Sequence, residues 1–167
     1  MSREFWLEGP VEGIPPALQP VAHALLQSQH DLRGATTGIP VDLLWQRPRG
    51  AASLGFHLRH IAGSMDRLVA YALGRELDDG QRDALAAEKT EPAERPPVEE
   101  LLARVDATVE KTLHTLSGIP PSTLIEAREV GRARRPSTVL GLLFHAAEHT
   151  QRHTGQVITT ARFLRGQ

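Results

Sequence analysis

The sequence predicts an all-α fold, a four-helix bundle with one long connection between its second and third helices. Three observations predict it. Four stretches repeat apolar residues at the three- and four-residue spacing of an amphipathic helix. No stretch alternates apolar and polar residues strongly enough for a half-buried strand. The stretches are divided by segments rich in glycine and proline, which stop helices. Helices with apolar stripes must bury them against one another, and a bundle is the default way to do so.

The first helix is expected from about Pro16 to Leu32, with Leu18, Val21, Leu25 and Leu32 on a helical spacing and Gly34 past its end. Pro20 falls in its opening turn or so, where it does less damage than in the middle. The following "GATTGIPVDLLWQRPRG" reads as loop. The second helix starts near Ser53, a candidate N-cap, carries Leu54, Leu58, Ile61, Met65, Leu68 and Ala72 on one stripe, and stops at Gly74. After it, "RELDDGQRDALAAEKTEPAERPP" is polar and ends in prolines, with a short helical piece near Asp83–Glu88. A connection this long in a compact domain is often functional or a crossover.

The third helix has Pro97 in its first turn, Glu99 and Glu100 at its positive end, and Val98, Leu101, Leu102, Val105, Val109, Leu113 and Leu116 as its apolar stripe, ending at Gly118. The stretch "STLIEAREVGRARRP" reads as irregular or weakly extended. The fourth helix runs from Ser137, another N-cap candidate, to about Arg165 and is apolar on nearly every side, Phe144 included. Such a helix is buried, so its polar residues need partners.

The whole chain of 167 residues suits one domain, with the first fifteen or so as an irregular extension. Its net charge of −1 gives no general pull toward nucleic acid or anionic lipid. It has no cysteine, which excludes disulfides and thiolate metal sites and leaves nitrogen and oxygen as metal ligands. The start lacks the pattern of a signal peptide, and no apolar run is long enough to span a bilayer; a cytoplasmic protein is expected. The tryptophans, Trp6 and Trp45, lie in irregular segments and are expected to cover the ends of the core.

In "HAAEHTQRHTGQ", His145, His149 and His153 repeat every four residues. Residues four apart lie above one another on a helix, so His149 and His153 can share one metal ion. They fall on the side of Leu142, Ala146, Val157 and Leu164, with Gln156 near the same face. Imidazoles in apolar company are costly unless their nitrogens find partners; a metal, or neighbouring carbonyls and carboxylates, can serve. The second helix offers His57 and His60 one turn apart. Either one would complete a three-nitrogen site with an open position, the form of a catalytic metal centre. The helical wheel places His57 closer to the apolar stripe, and His60 at its edge beside Ser64 and Tyr71. Glu148, Ser64, Tyr71 and Gln156 are near enough in sequence to be considered as a general base, but none has a compelling spacing. Glu148 points about a hundred degrees away from His149. Arg132, Arg134 and Arg135 precede the fourth helix and read either as a solvated basic loop or as an anion contact at its start.

The pairing of "HLRHIAGSMDRL" with "TVLGLLFHAAEHTQRHTGQVITT" resembles the DinB-like superfamily, from the first helix onward and including the long connection. That family's signature of two histidines four apart, one further residue and Gly-Gln matches His149, His153, Thr154, Gly155 and Gln156. Its third ligand precedes a small apolar pair, matching His60 before Ile61-Ala62. The resemblance therefore implies a divalent metal, zinc or nickel, on His60, His149 and His153, with His57 and His145 as supporting or packing residues. Thr154 stands where arginine is frequent. The resemblance further implies a homodimer acting on a small molecule, while the near-neutral charge and the lack of a spanning run argue for no nucleic-acid or membrane partner. Two chemistries go with it: metal-activated transfer of a low-molecular-weight thiol to a small electrophile, or metal-dependent hydrolysis. A non-catalytic bundle whose histidines are structural is the third reading.

Overall fold

The computed structural model describes residues 3–166. Its elements are α1 (Gln19–Thr36), α2 (Val41–Trp45), α3 (Leu54–Ala72), α4 (Asp79–Ala87), α5 (Val98–Ser117), β1 (Ala127–Val130), β2 (Arg135–Thr138) and α6 (Val139–Leu164). The four long helices, α1, α3, α5 and α6, form the bundle. α6 packs against α1 and α3, and α5 packs against both from the other side, so α1 and α3 are diagonal partners, as are α5 and α6.

Side-chain ties fix the helix directions. Gln151 reaches Ala24 O and Arg165 reaches Thr37 O, so α1 and α6 run parallel. His57 meets His153 and His60 meets His149, so α3 and α6 run antiparallel. Trp45, whose ring packs on Gly55 at the start of α3, bonds Pro96 O before α5, and Asp66 late in α3 pairs with Lys111 late in α5, so α3 and α5 run parallel. Parallel neighbours cannot be joined by a tight turn. The chain must return along the length of the bundle, about 28 Å for the 19 residues of α3, and this accounts for the long connection.

The core is one cluster built from the predicted stripes: Leu18, Val21, Leu25 and Leu32 from α1 and the residue before it, Leu54, Leu58, Ile61 and Met65 from α3, Leu101, Val105 and Leu116 from α5, and Leu143 and Val157 from α6. Each such side chain contributes about 1.5–3 kcal/mol on burial. Caps set the helix starts. Ser53 Oγ accepts from Phe56 N at α3, and Asp78 forms a capping box with Gln81 at α4.

Several boundaries differ from the sequence reading. α1 continues to Thr36, and the loop after it holds the short α2, whose Trp45 ring packs on Gly55; a Cβ at Gly55 would lie 2.8 Å from that ring. Pro97 is the N-cap of α5 and not a first-turn residue. The piece expected at Asp83–Glu88 is a longer helix that ends before Glu88. The segment before α6 is an antiparallel hairpin, Ala127 opposite Thr138 and Val130 opposite Arg135, turning through left-handed Gly131 and Arg134. Thr138 rather than Ser137 caps α6, its hydroxyl accepting from Gly141 N. α6 is not buried all round: Phe144 and Phe163 are exposed. Trp6 is exposed and covers no core end, whereas Trp45 is buried. Among the described residues no helix is long and apolar enough to cross a membrane.

Candidate metal centre

Two helices supply the site. On α3, Ser53 starts the helix so that Leu54, Leu58, Ile61 and Met65 face the core, which turns His57 and His60 toward α6 and the connection. On α6, burial of Leu142, Ala146, Val157 and Ala161 turns His149 and His153 toward α3. The antiparallel seam then sets His60 beside His149 and His57 beside His153.

One nitrogen each from His60, His149 and His153 lies within 4.8 Å of the others. His60 Nε2 and His149 Nε2 are 2.9 Å apart, and the ring of His153 stands 4.6 Å from each of the other two rings, centre to centre. Among the described residues this is the one group of three or more histidine, aspartate or glutamate side chains so arranged. His57 stands behind it: its Nδ1 lies 2.9 Å from His153 Nδ1, and it is buried. His145, though on the same spacing of four, faces outward and pairs with Glu148.

The nitrogens are prepared for a cation. His60 Nδ1–H donates to Glu88 Oε2 at 2.8 Å, which leaves Nε2, aimed at His149, as the nitrogen it can offer to a metal. His149 Nδ1 is buried without a partner. Burial, then the charge of His60, pushes His57 down to about 4, and the same two causes push His153 down to about 4. Burial also lowers His149. These rings are therefore neutral at pH 7, the form that binds metal. Nitrogens sharing one ion at 2.0–2.1 Å in tetrahedral geometry lie about 3.3 Å apart, within the spread the triad shows. The donor set fits one divalent cation held by three imidazoles. Its mouth is accessible, since the His60 side chain keeps 21% of its surface exposed.

Glu88 is the residue the sequence reading missed. It sits just past α4, only 8% exposed, and holds Arg67 through two bonds of 2.7 Å and 3.1 Å as well as His60. Burial alone would raise its carboxyl, but the bonds from His60 and Arg67 outweigh that and hold it below its ordinary value. The connection is fastened on both sides of it, by Arg59 to Ala87 O and Thr90 O and by Gln81 to Asp66. Gly63 makes room: a Cβ there would fall on Glu88 Oε1 and 2.7 Å from Arg67 Nη1. In the sequence, Arg67 was the available signal, because His60, Ser64 and Arg67 follow i, i+4, i+7 on one face and a buried arginine demands a carboxylate.

The other candidates are placed elsewhere. Glu148 pairs with Arg152 and His145 on the outer face of α6. Gln156 is exposed, away from the face expected for it. Ser64 bonds Ile61 O, and Thr154 is buried with its hydroxyl donated to Thr150 O, so it offers nothing to an anion. Of the three arginines before α6, Arg134 pairs with Glu129 within the hairpin.

With the fold and the triad in hand, the class is a helical bundle with a three-histidine centre. A family model described as the DinB superfamily matches residues 24–157, and the chain belongs to that superfamily. The crystal structure of a conserved protein from Enterococcus faecalis is similar in fold, with a TM-score of 0.69 at 17% identity, covering 90% of this chain and 98% of that one. No curated protein matches the chain.

Proposed function

We propose that this protein is a metal-dependent enzyme that transfers a low-molecular-weight thiol to a small electrophile, with zinc or nickel on His60, His149 and His153. The homodimer implied by the family resemblance is taken as its working form. The observation that carries the reading is the triad itself: three nitrogens within 4.8 Å, two of them on rings, His149 and His153, that burial keeps neutral, at a mouth open to solvent. A divalent cation there supplies Lewis acidity, which lowers the pKa of a thiol at its open position, or of a water by the same means.

The chain's own residues favour the thiol. Glu88 fixes the tautomer of His60, and His57 steadies His153. Hydrolysis would also call for a positioned base, and both carboxylates that adjoin the histidines are engaged. Glu88 is locked between His60 and Arg67, and Glu148 is turned outward to Arg152. A thiolate needs no base when it attacks.

Metal content of untagged protein, measured by mass spectrometry after exposure to zinc or nickel, is the test. We expect near one metal per chain, kept in His57→Ala and lost in His60→Ala and His149→Ala. The loaded protein should then consume an aryl halide only when a thiol is added. Absence of metal from every form overturns the reading; ester hydrolysis without thiol replaces transfer with hydrolysis.

A further inference from the structure

Beside the triad lies a cleft of about 230 Å³ whose walls include Phe56 and Glu88. Both residues also touch the centre. The Phe56 ring lies parallel to that of His60 at 5.5 Å and 7°, and Glu88 holds His60 Nδ1. The cleft thus shares two walls with the proposed metal site, on the side where the connection crosses α3.

Its charge is unbalanced. Arg47, Arg59 and Lys89 line it, and so do two carboxylates, Glu88 and Glu91. Each carboxylate is already neutralised by an arginine that does not line the cleft, Glu88 by Arg67 and Glu91 by Arg95 at 2.5 Å. Among the described residues none of the three cations has a carboxylate in return. Arg59 bonds only the carbonyls of Ala87 and Thr90, at 2.9 Å and 3.1 Å. Arg47 reaches only the carbonyls of Gly50 and Ala51, at 3.5 Å and 3.4 Å. Among the described residues Lys89 has no ion-pair partner; Arg49, Arg75, Arg132, Arg135, Arg162 and Arg165 lack one too, but only Arg47, Arg59 and Lys89 gather on the walls of this cleft. Left-handed Arg49 and Gly50 turn the chain between Arg47 and Ala52, both of which face the cleft. Three cations gathered without counter-charges, in a chain of net charge −1, mark a place for an anion.

We propose that this cleft binds the oxyanion group, carboxylate or phosphate, of the small molecule on which the metal centre acts. Its volume is below the 300–1,000 Å³ of pockets for drug-sized ligands, so the occupant is a small metabolite. The inference rests on the metalloenzyme reading only for the claim that the anion is the centre's substrate.

The experiment uses the full chain and two probes, succinate and inorganic phosphate. In metal-free protein, with Trp6 replaced by phenylalanine, the indole N–H resonance of Trp45 in the cleft wall is followed during titration. We expect a saturable shift that salt weakens. Arg47→Ala and Lys89→Ala, both at exposed residues that leave the fold intact, should each weaken binding about tenfold, while Arg134→Ala changes nothing. A response to phosphate alone or to succinate alone supports the site and names the oxyanion. No saturable response to either, or one unaltered in the Arg47→Ala, Lys89→Ala double variant, overturns it. Loading with cobalt(II) then tests the link to the centre: paramagnetic relaxation of bound succinate protons, or of the phosphate phosphorus, supports it, and diamagnetic rates overturn it. Binding that persists in a protein unable to hold any metal keeps the cleft and removes the metalloenzyme reading alone.

Discussion

Glu88 and Glu148 are the two carboxylates that adjoin the histidines, and the molecule treats them oppositely. Glu148 is next to His149 in sequence, yet it lies on the outer face of α6 in a ladder with His145 and Arg152. Glu88 is remote in sequence from every histidine it serves, yet it is buried against His60 and Arg67. A bundle's chemistry is set by which faces meet. A neighbour on the same helix is carried away by the hundred-degree step per residue, whereas a connection forced to run back along the bundle can deliver a side chain straight into a seam.

The largest effect expected from breaking this contrast is in Glu88→Ala. It leaves the Arg67 guanidinium buried and uncompensated, which costs about 3–5 kcal/mol, read from the denaturant midpoint. It also frees His60 to rotate and to take either tautomer, so metal affinity should fall by roughly 10–100-fold in a chelator competition. The pair Glu88→Leu, Arg67→Met removes both buried charges together and should regain most of the stability while leaving affinity low. Recovery of both would show that Glu88 serves packing alone.

Next in size is pH. Burial keeps His57 and His153 neutral down to about 4, against an unfolded value of 6.5. Above pH 6.5 both states carry neutral rings and stability is flat in this respect. Between 6.5 and about 4 the unfolded chain takes up protons that the folded one refuses, so the metal-free protein loses stability as pH falls. The loss is about 3 kcal/mol for buried His57 and less for His153, which solvent partly screens. Denaturation midpoints in EDTA across this range should decline, and His57→Leu should flatten part of the slope. An unchanged midpoint would mean that these rings are not neutral in the fold.

Two glycines are expected to respond on a smaller scale. Gly63→Ala places a methyl on the Glu88 carboxylate, and overpacking there should cost about 1–2 kcal/mol net of the helix-propensity gain, with weaker metal binding beside it. Gly155, in mid-α6, has open space where a Cβ would stand. Gly155→Ala should stabilise by up to about 1 kcal/mol and leave metal content alone. Thermal melts and metal analysis of the two variants decide; the same sign in both would remove the close approach of Glu88 to α3.

Much of this was legible in the sequence. The core stripes of all four long helices appear as spaced leucines and valines, and they fill the core. The metal candidates were legible as a pair of histidines, His149 and His153, plus a choice between His57 and His60. The choice was not open to periodicity, because the wheel measures distance from the apolar stripe, and it is His60, at the stripe's edge, whose nitrogen lies with those of His149 and His153. His57, nearer the stripe, is the more buried and stands behind His153. Phe144 misled because an apolar residue need not be inside; much of any protein surface is apolar. The hairpin escaped because strands of four residues on an exposed edge carry almost no alternation. Glu88 escaped because it is one of several glutamates in a polar stretch, and only the parallel course of α3 and α5 says which of them meets α3.

The smallest effect is expected at Glu148, and it closes the contrast. Glu148→Gln leaves the shape of the α6 ladder and removes only its charge. Arg152 draws the Glu148 carboxyl below its usual range through a hydrogen bond, with His145 adding a lesser pull, but all three groups remain in contact with water. Exposed pairs of this kind are screened and contribute little. Both melting temperature and metal content should therefore match wild type, at low salt and at high. If Glu148→Gln instead lowered metal affinity, the outer ladder would be acting on His149 through His145, whose ring stands 5.5 Å from it. The two carboxylates would then differ in degree and not in kind.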